Sequence, residues 1–172
     1  LFFITWLGLC LVYFFPLTHF SLSIDGEFDD NFHHTVTLGR WGHAFLRAWL
    51  LPEPFIPYFT LMLALAVLAL AAVVCAALLT LSWQQSLVFS ALFASTPQLA
   101  YQLQFINQAD TVALGYLLMV LGVAAFQRSW HAPQRLYWAV AAVLCWLYAM
   151  AIYQSLVVLA PLLWIGMLLL AP

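Results

Sequence analysis

Apolar segments long enough to cross a membrane alternate with short polar segments along this chain. The last apolar segment has 36 residues and is interrupted only by Tyr153-Gln154-Ser155, so it predicts two helices joined by a tight turn. A helix that spans a bilayer needs about 20 mostly apolar residues. The whole pattern predicts six transmembrane helices, drawn from apolar segments at about 1–23, 58–81, 86–95, 111–126 and 136–171.

Composition narrows the class of protein further. Hydrophobic residues occupy 67% of the 172 positions, charged residues only 6%, and the mean hydropathy is +1.04. Such values lie outside the range of soluble domains. We therefore expect an all-α polytopic membrane protein, with residues 1–172 forming a single transmembrane module of a longer chain. The chain has no lysine and a formal charge of -2, which leaves no electrostatic basis for binding nucleic acid.

The positions of the arginines predict how the module is oriented. The loop between the fourth and fifth predicted helices holds Arg128 and Arg135 and no acid, so the positive-inside rule places it in the cytoplasm. Because the helices alternate in direction, the polar segments 24–57, 97–109 and 153–155 then share the external face. We expect these three segments to lie at one end of the helices, whichever way the protein is oriented.

The most acidic stretch directly follows the first predicted helix. Residues 23–30 read S-I-D-G-E-F-D-D, which places Asp25, Glu27, Asp29 and Asp30, four of the six carboxylates, in one short loop. These acids fit three interpretations: a solvated loop, a cation site or a catalytic base. An apolar boundary and neighbouring like charges both favour the protonated form of a carboxyl group, and so make it a better base near neutral pH. Asp25, next to the membrane, is the best placed for that role.

A short amphipathic segment lies later in the same external loop. Trp41, Phe45 and Trp49 recur at four-residue spacing, opposite His43 and Arg47. This spacing predicts a helix. The helix is expected either to lie in the membrane interface with its apolar side toward lipid, or to pack on the bundle as an ordinary loop helix.

Arg40 stands in a glycine-flanked turn, Gly39-Arg40-Trp41-Gly42, about fifteen residues after the acids. Its guanidinium group is a fixed cation whose fork of N–H groups matches the oxygens of a phosphate. A base and an anion clamp are the two parts that glycosyl transfer from a lipid phosphate requires. The loop thus holds candidates for both.

The order of short motifs along the chain resembles a known family. An S-I-D-G-E motif after the first helix is followed by G-R-W, a proline-rich entry to the second helix, T-P-Q-L, Q-A-D and a Y-Q-S turn between two late helices. This ordered set, from about Ile24 to Leu170, resembles the membrane glucosyltransferases of O-antigen serotype conversion, the glucosyl transferase family Gtr type II. Those enzymes are similar to the wider class of transferases with the GT-C fold.

The resemblance implies a catalytic mechanism and a site. In GT-C enzymes an acid of the first external loop is the catalytic base, which here would be Asp25 or Glu27. The family commonly has adjacent acids where this chain has Asp25-Gly26-Glu27, so the choice between the two stays open. The residues expected to contact substrate are Asp29, Asp30, Arg40, Trp41, His43, Asp110 and Gln154.

The resemblance also implies the substrates and the cellular location. The donor would be a polyprenyl-phosphate sugar such as undecaprenyl phosphate glucose, and the acceptor a lipid-linked glycan such as O-antigen. Transfer would invert the anomeric centre at the periplasmic face of the bacterial inner membrane. The four acids could hold a divalent cation through oxygen ligands, but a lipid phosphate leaves readily without one, so we expect no metal and no other cofactor.

Two candidate residues have alternative roles, and the protein has alternative functions. Asp110 is expected to open the fourth helix, where a carboxylate can cap free N–H groups instead of contacting substrate. Gln154 could bind sugar hydroxyls or only cap helix ends. At the level of the protein, the alternatives are a transporter or channel, which a charge in the middle of a helix would indicate, and a noncatalytic subunit of a membrane complex.

Overall fold

The computed structural model describes residues 1–19, 31–51 and 56–170. Within these ranges the chain is helical, with no β-strand. The helices are α1 (Phe2–Val12), α2 (Phe14–Thr18), α3 (Asn31–Thr37), α4 (Trp41–Trp49), α5 (Pro57–Leu78), α6 (Trp83–Ala94), α7 (Pro97–Leu103), α8 (Ile106–Ser129), α9 (Arg135–Ile152), a 3₁₀ helix (Gln154–Val158) and α10 (Leu159–Leu170).

Three of the described helices, α5, α8 and α9, are long and apolar enough to cross a membrane, with 22, 24 and 18 residues. Two shorter apolar helical segments, Phe2–Val12 and Gln154–Leu170, accompany them. The predicted class, an all-helical membrane protein, is thus confirmed. The number of six spans stays a prediction.

Helix α8 lies at the centre of the bundle, between α5 and α9. Gly115 lies against Ile152 and Gly122 against Trp146, so α8 and α9 run antiparallel. A Cβ atom at Gly122 would collide with the indole ring of Trp146, whose Nε1 donates a hydrogen bond of 3.3 Å to the Met119 carbonyl oxygen. Small residues at the contact let helix backbones approach closely, which is the main source of packing where lipid surrounds the helices.

The first apolar segment is interrupted, contrary to the single helix predicted for it. Helix α1 ends at Val12, and α2 begins at Phe14 after Tyr13 leaves the helical conformation. Pro16 explains the break, because it has no N–H group to donate to the Val12 carbonyl oxygen. The Tyr13 hydroxyl then donates a hydrogen bond of 3.1 Å to the Ala94 carbonyl oxygen on α6.

Helix α8 begins at Ile106, whereas the polarity of the sequence predicts a start near Asp110. The expectation that Asp110 opens this helix is wrong, because no acid lies in its first turn. Polar residues usually mark a loop, but here α4 packs over the first turns of α8 and covers them.

The predicted interruption of the last apolar segment is confirmed. Helix α9 ends at Ile152, and the chain turns through the 3₁₀ helix into α10. Trp164 of α10 lies 5.7 Å from Phe126 and 5.5 Å from Trp130, ring centre to ring centre, near the end of α8. Helix α9 begins at that same end and leads away from it. Helix α10 therefore returns toward it and lies alongside α8.

Candidate functional site

Helix α4 crosses the ends of α8 and α9 at very close range. A Cβ atom at Gly42 would lie 2.8 Å from the carbonyl carbon of Ala151, so only glycine fits at this contact. The Tyr148 hydroxyl donates a hydrogen bond of 3.3 Å to the Gly42 carbonyl oxygen. These contacts hold the beginning of α4, and with it the turn that carries Arg40, against α9.

Arg47 and Asp110 form a buried ion pair between α4 and α8. The Arg47 Nη2 atom lies 2.6 Å from Asp110 Oδ1 and Nη1 lies 3.2 Å from Oδ2, so the pair is bidentate. The two side chains are only 6% and 3% exposed. Arg47 also donates to the carbonyl oxygens of Asn107 and Leu51. These contacts fix α4 on α8, although the Arg47 Nε atom is buried without a hydrogen-bond partner among the described residues.

His43 lies beside this ion pair and is only 2% exposed. Its Nδ1 atom is 2.7 Å from Thr111 Oγ1, and that hydroxyl donates a hydrogen bond of 2.9 Å to the Gln108 carbonyl oxygen. The hydroxyl proton is thus already used, so His43 Nδ1 is the donor to it. Burial, together with the charges of Arg47 and Arg40, lowers the pKa of His43 from 6.5 to about 4. The ring is therefore uncharged at neutral pH.

Arg40 is half-buried and is held from two sides. Its Nη1 atom donates a hydrogen bond of 3.1 Å to Gln108 Oε1, and its guanidinium carbon lies 4.6 Å from the centre of the Tyr153 ring. The Tyr153 hydroxyl in turn accepts a hydrogen bond of 3.2 Å from Gln102 Nε2. No carboxylate pairs with Arg40 among residues 1–19, 31–51 and 56–170. A guanidinium group has five N–H donors, so it retains donors for a ligand.

A groove of about 500 Å³ opens beside this turn, with polar groups at one end and an apolar wall along α9. At the polar end, a Cβ atom on Gly39 would lie 3.0 Å from Gln154 Nε2, and the φ of +77° at Gly39 strongly favours glycine there. The residues that line the groove are Gly39, Trp41, Leu144, Leu147, Tyr148, Met150, Ala151 and Gln154.

The structure brings together three of the residues that the sequence predicts for the site. Trp41 and Gln154 line the groove, and Arg40 lies beside it, next to Trp41 in the chain and against the ring of Tyr153, which precedes Gln154. His43 and Asp110 lie underneath, buried between α4 and α8. The predicted acids Asp25, Glu27, Asp29 and Asp30 lie outside the described residues, and their roles stay predictions.

Residues 31–51 of the polar segment 24–57 do meet the segments 97–109 and 153–155 at one end of the bundle, as predicted from helix parity. Contacts from Arg40 to Gln108 and Tyr153, and from Gln102 to Tyr153, join them. Sequence reasoning missed the roles of Tyr153, Gln102 and Gln108. A signal was present for the ion pair, because a lone carboxylate in a membrane helix needs a cationic partner.

The part of the chain that the structure describes contains no group of three or more His, Cys, Asp or Glu residues able to hold a metal ion. Five of the six carboxylates of the chain lie at positions 25–30 and 53, beyond that part. The expectation that the protein needs no metal or other cofactor therefore stays a prediction.

Fold and site together define a helical membrane protein with a groove at one end of its helices and a cation, Arg40, beside that groove. The sequence matches the family described as Glucosyl transferase GtrII over residues 14–171, and the chain belongs to this family. The resemblance seen in the sequence motifs is thereby confirmed, and membership supports glycosyltransferase activity. Neither a curated protein nor a solved structure matches the chain with significance.

Proposed function

We propose that this chain forms the catalytic transmembrane module of a GT-C-type glucosyltransferase. It transfers glucose, or a related hexose, from a polyprenyl-phosphate donor to a lipid-linked glycan such as O-antigen, with inversion, at the periplasmic face of the bacterial inner membrane. The observation that carries the proposal is Arg40: a half-buried cation with no carboxylate partner in the described structure, between two residues, Gly39 and Trp41, that line a groove with an apolar wall. Membership of the GtrII family supports the reaction class.

The groove provides surfaces for each part of such a donor. The lipid phosphate binds at the Arg40 guanidinium, and the isoprenoid chain runs along the apolar wall that includes Leu144 and Leu147. Trp41 offers its ring to the sugar, and the Gln154 amide can hydrogen-bond sugar hydroxyls. Asp29 and Asp30 complete the substrate contacts.

Transfer proceeds in one displacement. Asp25 or Glu27 removes the proton from the acceptor hydroxyl, whose oxygen attacks C1 of the donor sugar as the bond to the lipid phosphate breaks. Negative charge develops on the leaving phosphate, and Arg40 stabilises it in a site of low water content. Removing one such donor typically costs about 3 kcal/mol of transition-state stabilisation.

His43 and Asp110 act as positioning residues in this proposal, although the sequence predicts contact with substrate. Both are almost fully buried: Asp110 pairs with Arg47, and His43 Nδ1 bonds to Thr111, while His43 Nε2 is buried without a hydrogen-bond partner among the described residues. An uncharged His43 adds no electrostatic stabilisation to a phosphate. Their contribution is to fix α4 on α8 and thereby fix Arg40.

The test is transfer of radiolabelled glucose by purified full-length protein in liposomes that contain polyprenyl-phosphate glucose and a lipid-linked glycan. We expect transfer by the wild type and its loss in Asp25→Asn or in Glu27→Gln, whichever residue is the base. The same preparation is assayed for ion flux. Flux without sugar transfer would overturn the proposed function, whereas full transfer by both acid variants would overturn only the assignment of the base.

A further inference from the structure

A second cavity lies at the opposite end of α8, away from the groove at Arg40. It is an open pocket of about 880 Å³ beside the last turns of α8 and the loop that leads into α9. Helix α8 has 24 residues, so its two ends are about 36 Å apart. The residues that line this cavity are Leu78, Leu121, Ala124, Ala125, Gln127, Arg128, His131, Ala132, Pro133, Gln134 and Trp138.

The cavity combines an apolar wall with a cationic rim. Leu78, Leu121 and Ala124 belong to the ends of α5 and α8, two of the helices that are long and apolar enough to span a membrane. Arg128 follows Leu121 and Ala124 on the same face of α8, closer to its end, and polar side chains of the following loop also line the cavity. The wall therefore lies where acyl chains end, and the rim lies where headgroups begin.

The Trp138 ring holds the Arg128 side chain in place and leaves its positive charge free to bind an anion. Its guanidinium carbon lies 5.0 Å from the Trp138 ring, which occupies one face of the group and leaves its N–H edges for an anion. Among the described residues the one carboxylate is Asp110, and it is bound to Arg47 at the far end of α8. No acid in that part of the chain neutralises Arg128.

We propose that this cavity binds an anionic phospholipid, with the phosphate at Arg128 and an acyl chain against Leu78, Leu121 and Ala124. Charge complementarity selects an anionic headgroup, since the rim is cationic. The apolar wall selects an amphiphile over a free anion, because a soluble phosphate gains nothing from it. The site is separate from the transfer groove and does not depend on the proposed reaction.

The experiment uses purified full-length protein in mixed micelles of phosphatidylglycerol and phosphatidylcholine, with retained lipid counted by native mass spectrometry. We expect the wild type to retain phosphatidylglycerol in preference to phosphatidylcholine. Arg128→Gln should lower that retention at least about fivefold, because one arginine near an anionic headgroup contributes about 1 kcal/mol. Trp138→Leu, which keeps an apolar wall but removes the ring under Arg128, should lower it less.

Arg135→Gln is the matched control, since it removes the same charge at the same end of the bundle, at the start of α9, and Arg135 does not line the cavity. It should retain phosphatidylglycerol like the wild type. Equal losses in Arg128→Gln and Arg135→Gln would overturn the proposal, because they would show only a general surface charge. Equal retention of the two lipids by the wild type, or displacement of phosphatidylglycerol by glycerol phosphate at similar concentration, would overturn it as well. Circular dichroism confirms that each variant is folded.

Discussion

Arg40 and Arg47 stand seven positions apart at the two ends of the same short helix, yet their surroundings are opposite. Arg47 is buried, paired with Asp110 at 2.6 Å and bonded to two carbonyl oxygens. Arg40 is half-buried, and its side chain rests on the Tyr153 ring and makes one hydrogen bond, to Gln108. A buried cation that is paired with a carboxylate stabilises the fold, and a half-buried cation without such a partner is available to a ligand.

The two ends of α4 therefore have different roles. The Arg47 end is the anchor, and His43 bonded to Thr111 belongs with it. The Arg40 end is the one proposed to bind substrate, and it lies beside the groove that Trp41 and Gln154 line. Variants at the anchor should therefore change stability first, and variants at the Arg40 end should change substrate binding first.

The largest expected effect is on stability, at the ion pair. Asp110→Asn leaves the Arg47 charge buried without a counter-charge, which should cost about 3–5 kcal/mol of unfolding free energy. The measurement is thermal unfolding of the full-length protein in detergent. The double variant Arg47→Met/Asp110→Leu should recover much of the loss, because it leaves no buried charge. A single variant as stable as the wild type would show that the pair does not anchor α4.

The next effect is on transfer, at Arg40. Arg40→Gln should reduce the rate of transfer about 100-fold, since one donor to the developing phosphate charge is lost, while the unfolding temperature stays close to that of the wild type. Arg40→Lys should lie between the two, because a lysine keeps the charge and loses the fork. A fall in unfolding temperature as large as that of Asp110→Asn would place Arg40 with the anchor.

An effect that is smaller for each pH unit should appear as acid sensitivity from His43. Its folded-state pKa of about 4 lies below the ordinary value of 6.5, so the unfolded chain takes up a proton first as the pH falls. Stability should then drop by about 1.4 kcal/mol per pH unit from near pH 6.5 until the folded ring also protonates near pH 4. Unfolding measured across this range should be flatter in His43→Gln. Identical pH profiles would show that His43 does not titrate in this way.

The smallest effect concerns the ring beneath Arg40. Tyr153→Phe keeps the ring and loses the hydrogen bond from Gln102, whereas Tyr153→Leu loses both. A cation–π contact is worth about 0.5–2 kcal/mol, so Tyr153→Leu should raise the KM for donor several-fold, with Tyr153→Phe changing it less. Equal KM values in both variants would indicate that the hydrogen bond, and not the ring, holds Arg40.

The class of fold was predictable because it depends on apolar length alone. The interruption at Tyr153-Gln154-Ser155 and the uncharged span of α5 are local features of the sequence, and both are found in the structure. The start of α8 was not predictable in that way. Its first turns carry polar residues that α4 buries, and burial by a distant segment leaves no local trace.

The site shows the same division between local and distant information. Arg40, Trp41 and Gln154 were found because a glycine-flanked turn and a polar interruption are visible in the sequence. The partner of Asp110 was not specified, since Arg40 and Arg47 both lie in the loop predicted on the same face. Only packing distinguishes the two arginines. Gly42 lets α4 lie very close to Ala151, and Arg47, further along α4, then reaches Asp110.

The central claim is that Arg40 receives the phosphate of the lipid donor. Its most direct test is the affinity of purified full-length protein for polyprenyl phosphate, measured by calorimetry for the wild type, Arg40→Gln and the control Arg135→Gln. We expect about tenfold weaker binding in Arg40→Gln, the loss of one charge-assisted hydrogen bond, and unchanged binding in Arg135→Gln. Equal affinity in all three proteins would contradict the account.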